Sequence, residues 1–138
     1  AERVIKVAGY NDRLGNIAEF SGVGNLNRAL PNPDLAAPAV GILTVKKGGG
    51  YDSFTGTSMA APFVAGSAAL MMQWGIVNQN DPFLYGERIK AFLRLGANRT
   101  VALAYPNPMY GYGKLCLRNT ITFLERYKWG GDNQWIHP

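Results

Sequence analysis

Histidine and cysteine are nearly missing from this chain: one of each stands among 138 residues. Cys116 has no second thiol to meet, so an internal disulfide is excluded and cysteine usage favours no oxidising compartment. His137, one residue from the last, is the sole imidazole, which restricts any acid–base chemistry the chain can perform alone. Charge is also scarce. Asp, Glu, Lys and Arg make up 17% of the residues against 47% hydrophobic, a balance that excludes disorder and fits a globular core. Basic residues exceed acidic ones, 14 to 9, but Lys46, Lys47, Arg88, Lys90, Arg94, Arg118, Arg126 and Lys128 form no long run and no nucleic-acid motif, so no nucleic-acid partner is expected. There is no internal repeat and no low-complexity segment. The opening AERVIKVAGYN lacks a basic stretch followed by an apolar one, so it reads as the start of a strand and not as a signal peptide. Such an abrupt entry suggests a chain cut from something longer.

The residues that are present divide into short apolar runs and turn clusters. Val4, Ile5, Val7 and Ala8, closed by Gly9 and Asn11-Asp12, predict a buried strand and a turn. A second extended stretch is expected near Ile17 to Phe20, and a loop over residues 21–33. Ala36 to Val45 resumes an apolar run, and Lys47-Gly48-Gly49-Gly50 connects it to Tyr51–Phe54 as a hairpin. From Met59 to Val77 no charge occurs. That length alone would suit a membrane span, but Pro62, the absence of flanking anchor charges and the many Ala and Gly favour a helix packed inside a core, and no membrane is expected. Asp81-Pro82 predicts a cap and first-turn proline for a helix with Ile89, Phe92 and Leu93 on one face, ended by Gly96. Tyr105 to Gly113 is turn chemistry, and Leu115 to Tyr127 reads as a last helix. One domain is expected over residues 1–128. Residues 129–138 form a tail or linker stub, with Trp129 and Trp135 as anchors and Gly130-Gly131 as a pivot.

The chemistry concentrates in GTSMAAPFVAG, residues 56–66. A reactive serine needs an exposed hydroxyl, donors for an oxyanion and a base. Gly56 permits a tight backbone, Ser58 stands where a long helix begins, and Ala60 and Ala61 leave room for close approach. The free N–H groups and positive end of that helix would face an oxyanion, with the N–H of Ser58 as first donor. The plain alternative is that Ser58 only caps the helix. Other serine-enzyme patterns fail: Ala60 stands where G-x-S-x-G needs its second glycine, and Ala61 where S-x-x-K needs lysine.

GTSMAAPFVAGSAAL resembles the nucleophile segment of the subtilisin-like serine peptidases, the subtilases of peptidase family S8. RVIKVAGYN, IAEFSGVG and NPDLAAPAVGI precede it in the family's order, and YGYGKLCLRN resembles the family's closing element. NDPFLYG, YPNPMYGYGKLC and the tryptophan after the helix are most similar to the long, insert-bearing subtilases of spore-forming bacteria, among them relatives of proteases that process a germination enzyme. The resemblance implies an α/β fold, a mainly parallel sheet flanked by helices, of which this chain supplies an incomplete C-terminal portion. It implies Ser58 as nucleophile, Thr57 and Ser58 in the vicinity of the oxyanion hole, and Met59 beside the nucleophile, where oxidation would interfere. Two departures stand out: Ala39 replaces the usual Gly of APGV, which predicts an altered loop, and Phe63 replaces the common His of PHVAG, which is not the catalytic one.

The family's triad runs Asp, His, Ser along the chain. No histidine precedes Ser58, Asp34 matches a structural position of the family and not the triad acid, and the Asn that completes the oxyanion hole is unmatched. His137 reads as a tail residue. The resemblance therefore implies that the missing partners lie on sequence outside these 138 residues, that the chain alone is nearly inactive, and that its exposed edges favour self-association. The expected activity is serine-type endopeptidase action on a polypeptide substrate in a parent protein. The alternatives are a binding or regulatory pseudoprotease that keeps the fold, and a structural module in which Ser58 is only a cap. No cofactor is evident. Calcium is frequent in the family, but no D-x-D-x-D-G cluster stands here. The Asn98-Arg99-Thr100 sequon is taken as chance. The resemblance points to a bacterial source and leaves open whether the protein is secreted, spore-associated or cytoplasmic.

Overall fold

A computed structural model describes residues 3–25 and 32–129, with the backbone alone for Lys128 and Trp129. Gly130-Gly131, Trp135 and His137, the Trp129 side chain and residues 26–31 of the expected loop lie outside the described residues. Two strands, β1 (Val7–Tyr10) and β2 (Leu35–Pro38), pair in parallel with Val7 opposite Leu35 and Tyr10 opposite Pro38. β3 (Ile42–Val45) and β4 (Tyr51–Phe54) form an antiparallel hairpin through Lys47–Gly50, as the glycine run predicts. Helix α1 (Thr57–Met72) continues into a π-helical segment, Gln73–Val77; α2 (Glu87–Gly96) and α3 (Leu117–Trp129) follow. Helices on a parallel pair give the α/β class, and the sheet is partial.

β1 starts later than the apolar run suggests, and Gly9 lies inside it instead of ending it. The cause is Asp34, whose carboxylate accepts the Lys6 N–H at 2.7 Å while its own N–H donates to the Lys6 carbonyl at 2.8 Å, so ladder pairing begins one residue further on. Ile17 to Phe20 forms no strand. Asn11 and Asn16 close a tight loop at 2.8 Å, Ile17 makes one bridge to Tyr10, and the Ser21 N–H turns back to the Ala18 carbonyl. The run from Ala36 to Val45 breaks into β2 and β3 at Gly41, whose φ of 64° suits a turn. Asp81-Pro82 does not cap α2. The Asp81 carboxylate accepts the Phe83 N–H at 3.1 Å and pairs with Arg88, and the helix starts at Glu87 after Gly86 turns the chain at φ 56°.

The far edge of β2 is covered from late in the chain: the Ala36 N–H donates to the Gly113 carbonyl at 3.0 Å, and the Leu115 N–H donates to the Ala36 carbonyl at 2.8 Å. Over this sheet α1 lays Ala60, Val64, Ser67 and Met71, spaced four, three and four residues apart on one helical face. They meet Leu35 and Ala37 of β2 and Ala39 just after it, with Leu84, Ile89, Leu93 and Leu124 completing the core. α2 and α3 cross closely because Gly96 has no side chain; a Cβ there would fall 2.2 Å from Thr120 Oγ1. The stretch Thr57–Val77 is long and apolar enough to cross a membrane by length and composition. Its inner face packs on the sheet, whereas Phe63 (41% exposed) and Leu70 (53%) point outward.

Candidate active site around Ser58

The turn that presents Ser58 is built from the sheet upward. Ala39, directly after β2, donates its N–H to the Tyr10 carbonyl at 2.9 Å and accepts the Gly56 N–H at 2.8 Å. Gly56 has a φ of 155°, a conformation that a side-chain-bearing residue rarely adopts, and a Cβ there would stand 3.3 Å from Ser58 Oγ. The glycine therefore both makes the turn and clears the space beside the hydroxyl.

Gly56, not Ser58, is the N-cap of α1; Thr57 and Ser58 are its first two helical residues. No side chain caps the helix, so the capping role is not filled by Ser58. Ser58 is exposed, and its hydroxyl makes no hydrogen bond among the described residues. The Met59 N–H donates to the Gly56 carbonyl at 2.9 Å, while the N–H groups of Thr57 and Ser58 have no backbone acceptor among the described residues. Two free donors at the positive end of a 16-residue helix form a place where negative charge is stabilised. Pro62 loosens the same turn from the other side, since it lacks the N–H that would otherwise bond the Ser58 carbonyl. Met59 is half-buried next to the serine and Ala60 fully buried beneath it.

The other polar residues singled out in the sequence are placed elsewhere. Asp34, 1% exposed, receives Arg94 Nε at 3.1 Å, the Arg94 terminal nitrogen, Lys90 Nζ at 3.5 Å and the Lys6 N–H. It ties β2 to α2 and has no contact with Ser58 that would orient a base, as expected of a structural acid. Phe63 lies on the outer face of α1. Tyr10, at the end of β1, lies beneath Lys114, whose ammonium is 4.5 Å from the ring centre. Burial first, then the charge of Asp12 and a hydrogen bond to it, push the Tyr10 hydroxyl up to about 12. Burial and the neighbouring Tyr105 also raise Tyr110. Among the described residues no group of His, Cys, Asp and Glu side chains could hold a metal ion. An apolar hollow of about 580 Å³, lined by Trp74, Phe83, Arg88, Phe92 and Tyr127, lies beyond the other end of α1 and takes no part in the serine turn.

Sequence reasoning passed over two features of this site. One is Ser21, whose hydroxyl accepts the Gly9 N–H at 3.0 Å and holds β1 in place. The other is the contact between Gly9 and Ala39, two small residues 30 positions apart. A signal for it existed in the departure of Ala39 from the family's glycine.

Comparison with known proteins bears on the family and the fold. The Subtilase family profile matches residues 1–113. The solved structure of the Clostridium perfringens CspB protease superposes with a TM-score of 0.88 at 49% identity, covering 91% of this chain and 27% of that one. Fervidolysin from Fervidobacterium pennivorans, a keratinolytic enzyme related to subtilisin, gives a TM-score of 0.69 at 26% identity over 88% of this chain and 19% of its own. An intracellular serine protease of Paenibacillus polymyxa is 38% identical over 83% of this chain and 32% of its length, and a PII-type proteinase of Lactococcus lactis subsp. cremoris is 33% identical over 71% of this chain and 5% of its own. The chain thus spans a third or less of the relatives it matches here. With the profile matched over most of its length and the fold shared across these structures, this chain belongs to the subtilase family of subtilisin-like serine peptidases.

Proposed function

We propose that Ser58 is the nucleophile of a serine endopeptidase whose triad His and Asp, and oxyanion Asn, are supplied by sequence outside these 138 residues. The observation that carries this reading is an exposed serine hydroxyl with no hydrogen-bond partner among the described residues, held one residue inside a helix whose N-cap position is taken by Gly56. In the assembled enzyme Ser58 Oγ attacks a peptide carbonyl carbon and gives its proton to the imidazole of the absent histidine. The carbonyl oxygen becomes an oxyanion facing the Ser58 N–H, with the Thr57 hydroxyl nearby. The imidazole then protonates the leaving amine, an acyl-enzyme remains on Ser58, and water attacks it to release the acid. A polypeptide is the substrate class. With no histidine before Ser58 these residues lack the family's proton acceptor and are nearly inert alone; loss of the histidine alone costs about 10⁶ in kcat in the subtilisin case from which this figure is taken.

The apolar outer face of α1, with Phe63, Leu70 and Met72 exposed, fits this proposal as surface that the rest of the catalytic domain covers. Without it the isolated chain self-associates, and a monodisperse monomer in sedimentation velocity would count against that. The central test is intact mass after exposure to a fluorophosphonate probe, on the full-length protein and on residues 1–138. One adduct on the full-length protein, lost in Ser58→Ala, and none on the isolated chain is the expected result. No adduct on the full-length protein would favour a regulatory pseudoprotease.

A further inference from the structure

One of the two residues that depart from the family's motifs, Ala39, is also the one that holds the serine turn. Ala39 is fully buried, and its peptide is the link between the end of β1 and the start of α1: N–H to Tyr10, carbonyl to Gly56. Its methyl group needs room, and Gly9 provides it. A Cβ on Gly9 would stand 2.6 Å from Ala39 Cβ, closer than two carbon atoms tolerate, and 3.4 Å from both Thr57 Cγ2 and Phe20 Cε2. Gly9 cannot retreat, because its N–H is held by Ser21 Oγ at 3.0 Å and its carbonyl by the Ala18 N–H at 3.0 Å. One point in the structure is therefore bordered by the Ala39 methyl, the Thr57 methyl and the Phe20 ring, and only one side chain fits between strand and turn.

We infer that Gly9 and Ala39 form a matched pair of positioning residues: the methyl that stands at position 39 in place of the motif's usual glycine is admitted by the missing side chain at position 9, and together they set where Thr57 and Ser58 stand. This rests on Ser58 being the nucleophile. In the assembled protein the pair touches no reacting atom and acts through the Ala39 carbonyl and the Gly56 N–H. A second methyl at position 9 pushes Ala39 away and drags the turn with it. Moving the methyl across, with glycine at 39 and alanine at 9, keeps the volume and relieves the clash.

The test compares Gly9→Ala, Ala39→Gly and the double variant in the full-length protein, reading the first-order acylation rate at saturating fluorophosphonate, the unfolding midpoint, and the amide chemical shifts of Thr57 and Ser58. Gly9→Ala should slow acylation by at least about tenfold and shift both amides, and Gly9→Ala with Ala39→Gly should return the rate to within about threefold. A Gly9→Ala enzyme that labels at the wild-type rate overturns the pairing, as does a double variant no faster than Gly9→Ala. If the unchanged protein takes no label, the nucleophile reading fails by itself. The pair is then judged by the amides: shifts that move in Gly9→Ala and return in the double variant sustain it, and shifts that never move sink it.

Discussion

Asp34 and Ser58 are both polar residues set near the ends of loops, and the structure treats them in opposite ways. The acid is buried, and its two carboxylate oxygens are taken by the Lys6 N–H, Arg94 and Lys90. The serine is exposed, its hydroxyl has no partner among the described residues, and the N-cap position it might have filled is taken by a glycine. A group whose bonding is complete holds a fold together. A group left incomplete at the positive end of a helix is available for chemistry. The difference teaches that bonding, more than residue type or position in a motif, separates a structural residue from one left available.

That contrast can be broken at either end. Ser58→Ala should have the largest effect on chemistry, abolishing phosphonate labelling and lowering kcat of the full-length protein by about 10⁶, while changing unfolding free energy by under about 0.5 kcal/mol because no hydrogen bond is lost. A stability loss near that of a removed cap would show that the hydroxyl does structural work after all. Asp34→Ala should do the reverse, costing about 3–5 kcal/mol in urea unfolding, since Lys90 and Arg94 are left without their shared buried anion. A mild change there would mean that water or another acceptor replaces the carboxylate.

The smallest effect is an alkaline one that sharpens the comparison by leaving both residues alone. The Tyr10 hydroxyl titrates higher in the folded chain, at about 12, than its ordinary value of 10.0. The neutral form is thus favoured by folding, and its contribution is whole below about pH 10 and is lost as pH rises towards 12. Urea midpoints should fall across that window and fall less in Tyr10→Phe. Equal slopes in the two proteins would assign the loss to other groups, Tyr110 first among them, whose hydroxyl burial also raises.

Parts of this molecule were plain in the amino-acid order and parts were not. The uncharged run from Met59 to Val77 matches α1 and its π-helical continuation within two residues, because an unbroken apolar stretch of that length has few other uses. The hairpin was equally visible, since three consecutive glycines at 48–50 all take positive φ. Asp81-Pro82 misled because the same two residues serve an Asx-type turn as readily as a helix start, and an ion pair to Arg88 decided between them. Ile17 to Phe20 misled because hydrophobic residues in a tight loop can pack without a ladder. The place of Ser58 at a helix start was legible through its motif, while its freedom from capping depended on where Gly56 turns the backbone. The fit of Ala39 against Gly9 is a contact across 30 positions, and no local pattern announces it.

The late segment that closes the edge of β2 has a consequence for when this part of the protein becomes competent. β2 carries Ala39 towards the serine turn, yet its outer edge is completed only by Gly113 and Leu115, and Lys114 reaches back to the Gly15 carbonyl across 99 positions. Closing loops of that length costs entropy that only the finished contacts return. Ser58 thus precedes along the chain the segment that secures the platform beneath its turn, so that turn is fixed only once Gly113 and Leu115 have docked on β2.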